Sequence, residues 1–175
     1  LRMFGTARVA LLDGGLDKWR AEGRPIAHGA AATSGARFAP GAALSQVRDL
    51  AAMRANLASV AEIVVDARSP ARFSGIEGDP RGGVAAGHIP GSYNLRYADL
   101  LHADGTWKRG PAVRAAFADA GVDLDRPLAV TCGSGVTAAV LLFAAHLIGK
   151  DDVALYDGSW SEWGAHPDTP KATGA

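Results

Sequence analysis

At 175 residues, with 48% of them hydrophobic, the chain has the material for one ordinary core plus some extra length. Lys plus Arg and Asp plus Glu balance at 18 each, so no charge excess points to nucleic acid or to a membrane surface. No apolar run reaches the roughly 18 residues of a membrane span, and a single cysteine excludes an intramolecular disulfide framework.

Along the chain, residues 9 to 12 read as an apolar strand and residues 16 to 22 as a helix carrying Trp19. Residues 27 to 36 are small and aperiodic and read as linker. Asp49 can cap a helix running to about Leu57, with Leu50, Met53 and Leu57 on one face. Residues 62 to 66 form an apolar run ending in Asp66, the pattern of a buried parallel strand. Residues 69 to 87 are polar and rich in Gly and Pro, as expected of a long loop around a short helix. A short strand at 92 to 95 follows the Pro90-Gly91 turn. Pro111 opens a helix to about Ala120. A strand at 127 to 131, a helix at 136 to 149, a strand at 153 to 156 and a short helix from near Ser159 complete the chain. Strands alternating with helices imply an α/β domain, a parallel sheet covered on both faces. Sites in such sheets gather at the carboxyl ends of strands, where Asp66, Cys132 and Asp157 all fall.

The densest chemistry lies at Cys132-Gly133-Ser134-Gly135-Val136-Thr137, between the 127 to 131 strand and the helix after it. Such a loop can turn its backbone N–H groups toward one point, and the helix N-terminus adds partial positive charge there. Both favour anionic, nucleophilic sulfur. The competing readings are a buried structural cysteine and a dinucleotide fingerprint. Gly133, Gly135 and Ala138 fit the latter's spacing, with Asp157 near the place of a ribose ligand, but too little chain follows for the rest of such a sheet. A Walker A loop is excluded, since no Gly-Lys-Ser/Thr follows. A cysteine phosphatase needs an Arg six residues after the cysteine, and Ala138 stands there. The chain holds no second cysteine to resolve the first. The five histidines show no metal-ligand spacing.

The loop resembles the active-site loop of the rhodanese superfamily, and within it that of the tandem-domain sulfurtransferases of the 3-mercaptopyruvate type. These read Cys-Gly-Ser/Thr-Gly-Val-Thr, where thiosulfate-preferring members read Cys-Arg-Lys-Gly-Val-Thr. Further landmarks follow in family order: Val65-Asp66-Ala67-Arg68, Arg72-Phe73, Pro80-Arg81, Gly87-His88-Ile89-Pro90-Gly91, Asn94-Leu95, Tyr97 to Leu101 and Asp157 to Trp163. The resemblance spans about residues 44 to 170.

The resemblance implies a rhodanese-like three-layer domain at 44 to 175 that carries a persulfide on Cys132. The donor is 3-mercaptopyruvate or thiosulfate, and the acceptor a thiol, cyanide or a thioredoxin-like protein. No metal or organic cofactor is implied. Arg72 and Arg81 match the arginines that hold the donor carboxylate, and Arg68 a structural position paired with an acid. Gly133, Gly135, Val136 and Thr137 belong to the sulfur-binding loop. Ser134 can hydrogen-bond the sulfur or the substrate carbonyl, and Thr137 can equally serve as a plain helix cap. His88 can serve as a general base on its chemistry, but the resemblance implies a turn residue, and Trp160 and Trp163 are expected in the core. Ser74 stands where the family often has a further arginine. The alternative is a catalytically weak rhodanese-like interaction module.

Residues 9 to 19 match residues 153 to 163 at six of eleven positions, an internal repeat with an offset of 144. It suggests that residues 1 to 26 are the last strand and helix of an upstream rhodanese-like domain, with 27 to 43 as linker. The missing half, or a second copy of the chain, is then expected to pack on residues 1 to 26. No signal peptide is in view, and a cytoplasmic setting is expected.

Overall fold

The computed structural model describes residues 1, 4–6, 8–30, 35, 37, 39, 41 and 46–174. Most of the expected 27 to 43 linker beyond residue 30 lies outside them. Among the described residues the order is α1 (Gly15–Ala21), β1 (Val47–Arg48), α2 (Leu50–Ser59), β2 (Ile63–Asp66), α3 (Pro70–Ser74) and β3 (Tyr93–Asn94). A 3-10 turn (Tyr97–Leu100), α4 (Pro111–Asp119), β4 (Leu128–Thr131), α5 (Ala138–Leu147), β5 (Val153–Tyr156) and α6 (Ser159–Trp163) follow. The strands form one parallel sheet in the order β1-β5-β4-β2-β3.

The uninterrupted apolar strands are explained by burial on both faces. Ile63, Val65, Leu128, Val130 and Val153 point to one side, where Val113 and Phe117 of α4 and Leu141, Ala144 and Ala145 of α5 cover them. Val64, Ala129 and Tyr156 point to the other, against Met53 of α2, Ile89, and Trp160 and Trp163 of α6. Each fully buried large side chain contributes roughly 1.5–3 kcal/mol, so the central strands β2, β4 and β5 are the stable floor on which the loops stand. The domain is thus the three-layer α/β arrangement expected.

The Asp49 carboxylate accepts from the Ala52 amide at 2.8 Å, the expected cap of α2. Asn56 is buried on the same helix because its side chain takes both the N–H and the C=O of Glu62, at 2.9 Å each.

Two local expectations are corrected. Strand β1 was not foreseen; it is two residues long and exists only through pairing with β5. Residues 9 to 12 were expected to be a strand and form none, and Val9, Leu11 and Leu12 are exposed. A strand needs a ladder partner, and none faces this segment among the described residues. The segment is instead held through its turn. Asp13 accepts from the Trp107 amide at 2.9 Å and from Arg109 at 2.8 Å, and Lys18 reaches Asp104 at 3.3 Å.

Candidate active site

Cys132 follows directly on β4, the central strand, and its side chain is buried at 2% exposure. The turn between β5 and α6 pins its backbone. The Cys132 amide donates to Ser159 Oγ at 3.2 Å, and the Cys132 and Gly133 carbonyls accept from the Trp160 and Ser161 amides at 2.9 and 3.0 Å. Ser159 does this from a positive φ of 50°, with no exposed surface, while its hydroxyl donates to the Tyr156 carbonyl at 2.9 Å. The following amides, Gly133 to Thr137, donate to no acceptor among the described residues. They are free to meet an anion or a polarised sulfur.

The two loop glycines are required for different reasons. Gly135 has φ +81°, and a β-carbon there would stand 2.9 Å from the Asp157 carbonyl oxygen. Gly133 leaves room for guanidinium groups: a β-carbon there would stand 2.9 Å from Arg81 Nη2 and 3.4 Å from Arg72 Nη2.

A cavity of about 310 Å³ opens over the loop, lined by Cys132, Gly133, Ser134, Val136 and Thr137, by Arg68, Arg72 and Arg81, and by Ser69 and Tyr97. The structure therefore gathers the sequence-predicted site residues at one point, with Gly135 shaping the loop from behind. Ser134 and Val136 are exposed at the mouth. Thr137 occupies the N-cap position of α5, but its side chain makes no cap bond, so its hydroxyl is not spent there.

The arginines divide into two kinds. Arg68 is buried, with its guanidinium bonded to Asp66 at 2.7–3.1 Å and to the Gly87 carbonyl at 2.7 Å, and with its plane 4.7 Å over the Trp160 ring. It is neutralised and structural. Arg72 and Arg81 are partly exposed, at 23% and 39% of their side chains, and converge on one carboxylate, Asp79. Arg72 Nη2 lies 2.5 Å from it and Arg81 Nε 2.9 Å. The Asp79 side chain has no exposed surface. Burial alone would push its carboxyl up, but hydrogen bonds from the Arg81 side chain and backbone and from Arg72 outweigh it, so the group sits below the usual carboxylate value. Asp79 was missed from sequence, and Ser159 and Tyr97 fell within the quoted landmarks without a role assigned to them. Arg72 Nε is buried without an acceptor among the described residues, a donor left for something that enters the cavity.

His88 lies away from this cavity. Its Nδ1 sits 2.8 Å from the Phe73 carbonyl and its ring stacks on Phe73 at 3.9 Å. Backbone bonds with Ala172 fix it further. Trp160 and Trp163 are core residues, 1% and 0% exposed.

The chain is 41% identical over 162 residues to the 3-mercaptopyruvate sulfurtransferase of Homo sapiens, a match that covers 93% of this chain and 54% of that protein. It is 41% identical over 163 residues to the thiosulfate sulfurtransferase of Mus musculus, covering 93% of this chain and 55% of that protein. The chain thus spans about half the length of these curated relatives. The crystal structure of SseA from Escherichia coli, described under the rhodanese fold and 3-mercaptopyruvate sulfotransferases, superposes with a TM-score of 0.79 at 34% identity, over 92% of this chain and 60% of that one. The rhodanese-like domain family matches residues 47–166, so the chain belongs to that family.

Proposed function

We propose that this chain is the catalytic domain, residues 44 to 175, of a sulfurtransferase that takes sulfur from 3-mercaptopyruvate. The observation that carries the reading is the buried Cys132 thiol under a cavity rimmed by Arg72 and Arg81. Planar guanidinium groups grip a carboxylate in two-point fashion, and Arg72 Nε has no other acceptor among the described residues. With the donor so held, the Cys132 thiolate attacks the donor sulfur. The carbon–sulfur bond breaks and its electron pair leaves as the enolate of pyruvate, which then takes a proton. The Ser134 hydroxyl polarises the ketone oxygen, and the unengaged amides from Gly133 to Thr137 stabilise charge on the persulfide. An acceptor thiolate, cyanide or a thioredoxin-like protein then attacks the outer sulfur and restores the Cys132 thiolate. The residues named do this without a metal or organic cofactor. No helix among the described residues is long and apolar enough to cross a membrane; a cytoplasmic setting is part of the proposal.

The expected donor order is 3-mercaptopyruvate above thiosulfate. Gly133 and Ser134 supply no cation of their own, and a thiosulfate dianion gains more from such cations than a mercaptopyruvate monoanion does. Steady-state rates with the two donors at equal concentration test it, and faster turnover on thiosulfate refutes it. Arg72→Ala and Arg81→Ala should each raise KM for 3-mercaptopyruvate about tenfold or more with a smaller change in kcat, because carboxylate binding is nearly uniform between ground and transition states. An unchanged KM in both variants would remove them from the donor site.

The partner reading extends to residues 1 to 26. Leu11 and Leu12 are each 57% exposed and Leu16 is 50% exposed, an apolar surface that a second body would cover. That body is an upstream unit of the same kind or, for this chain alone, a second copy. Light scattering of the chain beside a Leu11→Glu/Leu12→Glu variant tests the latter: association lost in the variant supports it, and a monomer in both refutes it.

A further inference from the structure

The charge balance of the cavity rests on a residue that the proposed mechanism does not use. Three arginines line the cavity. Arg68 is cancelled by Asp66, which is buried with it. The other two share one carboxylate: Asp79 takes Arg72 Nη2, Arg81 Nε and Nη2, and the Arg81 amide, at 2.5, 2.9, 3.3 and 3.0 Å. Two guanidinium cations less one carboxylate leave a single positive charge on the arginine side of the cavity, apart from the charge on the Cys132 sulfur. The same contacts place both guanidinium groups against Gly133, within 2.9 and 3.4 Å of where its β-carbon would be. Without the carboxylate, two like charges would face each other across a few ångströms and separate.

We propose that Asp79 is the positioning and selectivity residue of the donor pocket: it aligns Arg72 and Arg81 and holds this anion-binding pair at one net positive charge, so that a monoanionic 2-oxo acid is matched and a dianion is over-charged for the pair. The inference rests on reading the cavity as the donor site. It differs from a purely structural role for Asp79 in one measurable way. A structural role lowers the rates with both donors together, whereas a charge-setting role changes their ratio.

The test is the kcat/KM ratio of thiosulfate to 3-mercaptopyruvate in the 175-residue chain and in Asp79→Asn and Asp79→Glu. Asp79→Asn keeps the shape and adds one unit of positive charge to the pocket. It should raise the ratio about tenfold or more, as a charge added within a few ångströms of a half-screened anion predicts, while KM for 3-mercaptopyruvate rises from the lost alignment. Asp79→Glu keeps the charge and should keep the wild-type ratio. An unchanged ratio in Asp79→Asn, or the same shift in both variants, overturns the proposal. Calorimetric titration of the wild type with pyruvate and with malonate, a monoanion and a dianion of similar size, decides the charge assignment even where Asp79→Asn fails to fold. Tighter binding of pyruvate supports it, and malonate bound as tightly or more so overturns it. Because that titration needs no turnover, it stays informative should the wild type transfer sulfur from neither donor, a result that sinks the sulfurtransferase reading by itself.

Discussion

Replacing Cys132 with serine is expected to abolish sulfur transfer and to leave the fold standing. The reaction needs a nucleophile that forms a bond to sulfur from which sulfur can leave again. A serine hydroxyl does not meet that condition, and no second cysteine can substitute. The loss should be on the order of 10³-fold or more, as when the nucleophile of other covalent enzymes is removed. The structural cost is smaller. Cys132 belongs to the core face shared with Val130, Ala138 and Leu141, and exchanging its thiol for a buried hydroxyl costs about 1–3 kcal/mol. The backbone bonds that fix the loop, from Ser159, Trp160 and Ser161, do not involve the thiol. Intact-mass measurement after incubation with donor gives an independent reading: the wild type gains one sulfur atom and the variant none. Turnover retained in the variant would sink the persulfide mechanism.

The loop around Cys132 was legible because a strand, a glycine-rich turn and a helix lie in immediate succession, and each leaves its own local pattern. The arginines were legible through the resemblance and then through geometry. Asp79 was not. It lies in a stretch of Gly and Pro with no periodicity, and its buried carboxylate is marked only by its ion pairs with two arginines. Residues 9 to 12 show the converse limit. Val9-Ala10-Leu11-Leu12 and Val153-Ala154-Leu155-Tyr156 are nearly the same sequence, yet the second is the strand β5 between β1 and β4, while the first is exposed and unpaired among the described residues. Strand propensity reports fitness for a sheet that must be supplied by the rest of the fold. The helix after each copy needs no such partner to close its own hydrogen bonds, and both form, as α1 and α6. Gly133 was read as backbone freedom, and the structure adds that its missing side chain is the space the two guanidinium groups occupy.

The largest stability effect is expected at Asp66, which lies at the end of β2 with a side chain 1% exposed. Asp66→Asn keeps the volume and the acceptor for the Arg68 amide, bonded at 2.9 Å in the wild type. It removes the only carboxylate, among the described residues, bonded to a guanidinium whose own side chain is 3% exposed. An uncompensated buried cation of this kind costs about 3–5 kcal/mol, and at this chain length each kcal/mol lowers Tm by roughly 2–4 °C. The Gly87 carbonyl and the Trp160 face remain as partners for Arg68, and they set the cost nearer the lower end. The damage should reach the proposed donor site, because the Arg68 carbonyl is held by the Asn94 side chain at 2.9 Å and the chain runs on from Arg68 into α3, which carries Arg72. Asp66→Asn/Arg68→Met separates the charge from the packing: the methionine fills the space over Trp160 without a cation, and the double variant should recover half or more of the lost stability. Urea denaturation of the wild type, the single and the double variant decides it. A single variant within about 1 kcal/mol of wild type would show that the pair behaves as a surface ion pair despite its burial. A double variant no better than the single one would place the cost in hydrogen-bond geometry rather than in stranded charge.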